Sequence, residues 1–173
     1  MRTSCCRGCS RQSTNSIHYD FDIMNLNYRT ALPDDAPECV SVRGKTRENA
    51  FSEVQLRSIG ITAKSWGENI RSGALPGNVC TFQGKIVGYC FGSRETGEIE
   101  VLVVLPHFEN RGIGRELLTM TSKQLAKLGH SRLFLACSPY STSRSYGFYR
   151  HLGWHSTETI DANGDEILEF FIQ

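Results

Sequence analysis

With 173 residues, 39% of them hydrophobic and 21% charged, the chain has material for one ordinary globular domain with a core of its own. A formal net charge of +1 supplies no clustered basic footprint, so no nucleic-acid partner is expected. No stretch approaches the ~18 consecutive apolar residues of a membrane span, and seven cysteines cannot all pair within one chain.

Residues 1–24 read as a flexible arm, polar, Ser-rich and without the apolar core of a secretory signal. Its Cys5, Cys6 and Cys9, even with His18, fit no two-pair zinc spacing, so no metal is expected. A single domain is expected over residues 25–173. Cys39, Cys80, Cys90 and Cys137 stand singly among apolar residues, as small buried hydrophobes do in a reducing cytoplasm.

"LNYRTA" alternates in polarity and predicts a short strand. Asp34 or Asp35 then caps a helix that tolerates Pro37 in its first turn. Residues 51–76 are mixed, with a helix around Ala63 to Ile70 closed by "SGALPGN". Period-two patterning follows in "VCTF" and "IVGYCFGS", joined by Gln83-Gly84 as a hairpin. "GEIEVLVVL" is a third strand that becomes apolar on both faces. Leu117, Leu118, Leu125 and Leu128 recur at helical spacing in a helix from Gly112 to Leu128, stopped by Gly129. "SRLFLAC" is a buried strand, "STSRSYGFYRHLGW" a short helix, and Asn163-Gly164 the turn of a last hairpin whose edge is open to homodimer formation. The strand–helix–strand unit from about 98 to 137 should be a parallel, right-handed crossover. The fold class is therefore α/β (α+β): a mixed, mostly antiparallel sheet of six to seven strands with about four flanking helices.

The turn before the long helix carries the chemistry. Helix N-termini present unpaired N–H groups and partial positive charge, and glycines let a ligand approach the backbone. Gly112 and Gly114, flanked by Arg111 and Arg115, therefore suit an anion, and phosphate is the commonest one; a merely tight turn is the plain alternative. Neither a P-loop Gly-Lys-Ser/Thr nor a third glycine for a dinucleotide fingerprint is present.

"LVVLPHFENRGIGRELL" resembles the acetyl-CoA-binding segment of the GNAT superfamily of N-acetyltransferases, in which Gln/Arg-x-x-Gly-x-Gly/Ala opens a helix after a strand. Glu109 stands where that family usually has Gln or Arg. "STSRSYGFYRHLGW" resembles the family's later motif at Phe148, Tyr149, Gly153 and Trp154, with Thr142 where the motif opens with Asn. The likeness covers roughly residues 26–173 and implies the acyl-CoA N-acyltransferase fold. It also implies acetyl-CoA as cosubstrate and direct attack by an amine acceptor, a small molecule or a peptide or protein, in a ternary complex.

On that resemblance, Asn110, Arg111, Gly112, Ile113, Gly114 and Arg115 hold the pyrophosphate, with Thr142 as a further polar contact. Leu102, Val103 and Val104 pair with the pantetheine along a strand edge that splays from its neighbour. A backbone N–H near Val104 polarises the thioester. Tyr149 protonates the leaving thiolate, its reference pKa lying within ~2 units of a thiol's. The base is Glu98, by its distance before the glycine turn, with Glu100 or a water as alternatives. Around Phe51 to Pro76, Trp66 and Glu68 either line the acceptor pocket or, for Trp66, belong to the core. The departures at Glu109 and Thr142 leave a second reading open, a catalytically degenerate acyl-CoA-binding or sensing module.

Overall fold

Strand β1 (Leu26–Thr30) leads through a short turn of 3-10 helix into helix α1 (Ala36–Arg43). The computed structural model describes residues 25–172 except Asn49; the N-terminal arm and its cysteines lie outside the described residues. Asp35 joins these two elements. Its carboxylate takes two hydrogen bonds from Arg29, at 2.6 and 2.8 Å, and one from the Leu32 N–H at 2.7 Å. Helix α2 (Glu53–Ser58) and helix α3 (Ala63–Ser72) follow. Both open with capping boxes, Ser52 with Gln55 and Thr62 with Ser65, and α3 ends on left-handed Gly73. Six residues of α2 are too few to show helical periodicity, so only the Ser52-x-x-Gln55 signature betrays it.

Strands β2 (Gly77–Phe82), β3 (Lys85–Gly92) and β4 (Ile99–Val104) extend β1 into an antiparallel sheet in the order β1-β2-β3-β4. Gln83 and Gly84 both have positive φ, 50° and 76°, as the two-residue hairpin between β2 and β3 requires. Helix α4 (Ile113–Lys127) then crosses to β5 (Arg132–Cys137). Helix α5 (Arg144–His151), β6 (His155–Ile160) and β7 (Glu166–Phe171) complete a second antiparallel sheet in the order β5-β7-β6. A parallel bridge from Glu98 to Phe134 connects the two sheets. The expected mixed architecture and crossover are present, with seven strands and five α-helices among the described residues.

Two cores flank the first sheet. On one face α1, α2 and α3 bury Val40, Leu56 and Trp66 against Tyr89, Phe91 and Val103. Trp66 meets Tyr89 and Phe91 edge-on, with ring centroids 5.8 and 5.4 Å apart. Trp66 is thus core, while Glu68 is exposed and lies 4.0 Å from Lys64. On the other face Ile113, Leu117, Leu118 and Leu125 of α4 pack with Leu133, Leu135, Trp154 and Leu168. Each such fully buried side chain is worth about 1.5–3 kcal/mol.

Gly88 on β3 allows α4 to come close. A Cβ there would lie 2.8 Å from the Val103 carbonyl oxygen and 3.2 Å from Leu117 Cδ1. Buried Asn78 fixes the helix laterally, donating to Thr121 Oγ1 at 3.1 Å and Gln124 Oε1 at 3.2 Å, while Thr121 donates to the Cys90 carbonyl at 3.3 Å. Cys39, Cys80, Cys90 and Cys137 are buried free thiols, as expected. Among the described residues no helix is long and apolar enough to cross a membrane.

Candidate active site

Strand β4 governs the site through a break in its own register. Phe91 opposes Val101 and Gly92 opposes Ile99, leaving Glu100 as the extra residue of a β-bulge. Bulges bend a strand and interrupt its alternation. Ile99 accordingly packs toward α4, whereas Val101 and Val103 pack toward α1 and α3. Just before the bulge, Glu98 bridges Phe134 of β5 and the Phe134 N–H donates to the Gly97 carbonyl at 3.4 Å. Beyond it they part. Residues Ile99 to Val104 on one side and Ala136 to Ser138 on the other become facing walls of a cleft of about 550 Å³. A cleft of that size lies in the usual range for small-molecule sites.

The glycine turn closes one end. Asn110 and Gly112 both have positive φ, 61° and 79°, as the tight turn before α4 requires. Gly112 occupies the N-cap position and α4 has no side-chain cap, unlike α2 and α3. Its first N–H groups therefore remain for a ligand, with the partial positive charge of a 15-residue helix behind them. The two glycines have different reasons. A Cβ at Gly112 would touch nothing within 4 Å, so only its φ demands glycine. A Cβ at Gly114 would stand 3.4 Å from Phe148 Cζ and 3.8 Å from Val104 Cγ2. A longer side chain at position 114 would occupy the cleft itself.

Helix α5 supplies the opposite wall with Arg144, Ser145, Phe148 and Tyr149. The Tyr149 ring packs edge-on against Phe148 at 5.1 Å and Trp154 at 6.0 Å. Burial pushes its phenol up, and Cys90 and Cys137 add to the rise, so the group stays protonated through the physiological range. A protonated phenol on a cleft wall can serve as a proton donor. Across the cleft, burial and then the Glu98 charge raise the Glu100 carboxyl; burial and then Asp161 raise Glu98. A carboxylate of raised pKa is a better proton acceptor.

A splayed pair of strands, an uncapped glycine-opened helix and a tyrosine-bearing second helix converge on one cleft. Residues 50–154 match the family model described as the acetyltransferase (GNAT) family. The chain belongs to the GNAT family.

Over 102 residues it is 29% identical to an uncharacterised N-acetyltransferase of Chlorobaculum tepidum, the alignment taking in 57% of this chain and 62% of that relative's length. The fold is also similar to that of the PaiA N-acetyltransferase of Thermoplasma acidophilum, solved with coenzyme A. There the TM-score is 0.69 and the identity 20%, covering 85% of this chain and 99% of the other. YncA of Salmonella typhimurium, solved with acetyl-CoA, gives a TM-score of 0.67 at 15% identity, covering 86% and 95%. At those identities the likeness is one of fold.

Within this GNAT domain the cleft brings together Leu102, Val103, Val104, Asn110, Gly112, Ile113, Gly114, Arg115 and Tyr149, all expected from sequence. Three other residues lie elsewhere. Arg111 stacks its guanidinium over the Phe108 ring at 5.3 Å and is not part of the cleft wall. Thr142 sits in the exposed turn before α5, where Ser138, Arg144 and Ser145 form the wall instead. Glu98 is held where β4 still bridges β5, while Glu100, one step into the splay, lines the cleft. The bulge at Glu100 breaks the shared face that simple alternation would give the two glutamates.

Sequence reasoning missed a third rim. Arg43, Thr46, Arg47 and Glu48, just past α1, also line the cleft. The basic stretch "RGKTR" was the available signal, but nothing local says that it faces Glu109. Among the described residues no group of three or more His, Cys, Asp or Glu side chains could hold a metal.

Proposed function

We propose that this protein is an acetyl-CoA-dependent N-acetyltransferase acting on a primary amine by direct attack in a ternary complex, in a reducing cytoplasm. The observation that carries the reading is the splayed, unpaired edge of β4 running into the uncapped N-terminus of α4. The two features suit the two halves of the cosubstrate. Unpaired strand groups along Leu102 to Val104 take the pantetheine amides as a neighbouring strand would. N–H groups of the 112–115 turn take the pyrophosphate. Acetyl-CoA supplies the activated thioester.

The chain's own groups divide the remaining work. Glu100, directly or through a water, accepts the proton of the attacking amine. A backbone N–H near Val104 stabilises the carbonyl oxygen as charge gathers there. The carbon–nitrogen bond forms, the carbon–sulfur bond breaks, and Tyr149 gives its proton to the departing thiolate. Glu100 suits the acceptor role better than Glu98 because it lines the cleft and Glu98 does not.

Calorimetric titration with acetyl-CoA tests the reading, on the wild type and on Gly114→Asp. A carboxylate in a helix's first turn favours the helix by ~0.3–1 kcal/mol, so the variant keeps its fold while setting negative charge against the pyrophosphate. Binding by the wild type and none by Gly114→Asp is expected. Absence of wild-type binding refutes the proposal. With an amine found by screening, Tyr149→Phe should bind acetyl-CoA normally and lose roughly 10²-fold or more in kcat. Binding with no turnover of any amine would instead mark the degenerate sensing module.

A further inference from the structure

A carboxylate at position 109 should repel phosphates bound at the adjoining turn. The structure surrounds it with cations instead. One oxygen of Glu109 forms ion pairs with Arg47 Nη2, at 3.2 Å, and with Arg144 Nη1. The carboxylate side chain is only 12% exposed, while Arg47 and Arg144 are 60% and 44% exposed. Arg144 further donates to Asn110 Oδ1 at 3.3 Å, and its backbone N–H donates to Glu48 at 3.4 Å. Three separate segments thus meet on one buried oxygen: the loop after α1, the glycine turn and the start of α5. All of these residues line the mouth of the cleft.

We propose that Glu109 is a positioning residue that holds Arg47 and Arg144 as a pair of phosphate-binding arginines over the acetyl-CoA site. The inference rests on the cosubstrate reading given above. A guanidinium carries five N–H donors. Both arginines are ion-paired with Glu109 and Arg144 gives one N–H to Asn110, so each guanidinium keeps donors for phosphate oxygens. One carboxylate against two guanidiniums leaves this trio a net positive charge. Glu48, which is exposed and solvated, offsets it only weakly. The cationic or amide side chain usual at position 109 is thereby replaced by two arginines from elsewhere in the chain. The buried carboxylate keeps those long side chains from dispersing into solvent, which lowers the ordering cost of gripping a phosphate.

The sign of one substitution decides the matter. If Glu109 merely repels the ligand, Glu109→Gln tightens acetyl-CoA binding. If it positions the arginines, the same substitution weakens binding roughly tenfold or more, the scale of one lost charge-assisted hydrogen bond. Dissociation constants are measured for wild type, Glu109→Gln, Arg47→Gln and Arg144→Gln with acetyl-CoA by calorimetry. S-acetylpantetheine, which has no phosphates, is measured in parallel by ligand-observed NMR. The expected result is weaker acetyl-CoA binding in all three variants with unchanged S-acetylpantetheine binding. Unchanged or tighter acetyl-CoA binding by Glu109→Gln overturns the proposal. So does an equal loss for both ligands, which would mean the cluster only shapes the cleft. Failure of the wild type to bind acetyl-CoA at all is a different result and overturns the cosubstrate reading beneath it.

Discussion

Adding one methyl group at each glycine of the turn should move stability in opposite directions. Gly112 has φ 79°, and an added Cβ would touch nothing within 4 Å. Gly112→Ala therefore incurs only the left-handed backbone penalty, about 1–2 kcal/mol. Gly114 sits in the first turn of α4 without a positive φ, and its added Cβ makes ordinary contact with Phe148 at 3.4 Å. Gly114→Ala removes a flexible glycine from a helix and gains up to ~1 kcal/mol. The two variants should differ by about 1–3 kcal/mol, which for a chain of this size is about 2–12 °C in melting temperature. Differential scanning calorimetry on wild type and both variants, with and without acetyl-CoA, reads this directly. Ligand should raise the melting temperature of Gly114→Ala as it does the wild type, since a methyl at van der Waals distance leaves the turn's N–H groups accessible. A Gly112→Ala protein that melts at or above the wild type would refute the conformational reasoning. A Gly114→Ala protein that melts below it would show that Phe148 cannot yield even to ordinary contact.

A base of raised pKa works deprotonated, so kcat/KM should climb with pH through the Glu100 titration, above the usual carboxylate range. Glu100→Gln should abolish that limb and lower kcat/KM roughly 10²-fold, while Glu98→Gln keeps it; a limb surviving in Glu100→Gln would place the base elsewhere. For stability, burial alone would raise the Asp35 carboxyl, but the hydrogen bonds from Arg29 and Leu32 outweigh it and hold the group below its ordinary value. A depressed folded pKa contributes stability that is present above the unfolded value of ~3.9 and lost as pH falls through the folded one. Asp35→Asn should therefore cost about 1 kcal/mol at pH 7, allowing for solvent screening at Arg29, and urea midpoints of variant and wild type should converge in strong acid. Midpoints that stay equally far apart at every pH would dismiss the ion pair as the cause.

Local features of the sequence carried most of the element list. Gln83-Gly84 and Asn163-Gly164 mark their hairpins because few residues accept the φ such turns need, and Gly164 indeed has φ 88°. The leucine spacing of α4 fixes a helix and its buried face before any partner is known, and Leu117 and Leu125 are fully buried. Gly112, Gly114 and Tyr149 were legible for the same reason: each belongs to a short segment whose chemistry is complete within a few residues. Thr142 and Glu98 rested on the family resemblance, and Arg111 on that and on its charge beside the glycine turn; none of the three lies on the cleft wall.

What the chain by itself determined, then, is the order of the strands and of the longer helices, the burial of Cys39, Cys80, Cys90 and Cys137, and the glycine turn that opens α4, because periodicity, backbone preference and helix-end chemistry act over a few residues. Only the tertiary structure decided which glutamate faces the cleft, since one bulge residue opposite Gly92 reverses the alternation of β4. Only it brought Arg47 and Arg144, 97 residues apart in number (144 − 47), onto the carboxylate of Glu109. Long-range ion pairs leave no periodic trace, because a charged side chain on a loop reads the same whether it meets water or a partner.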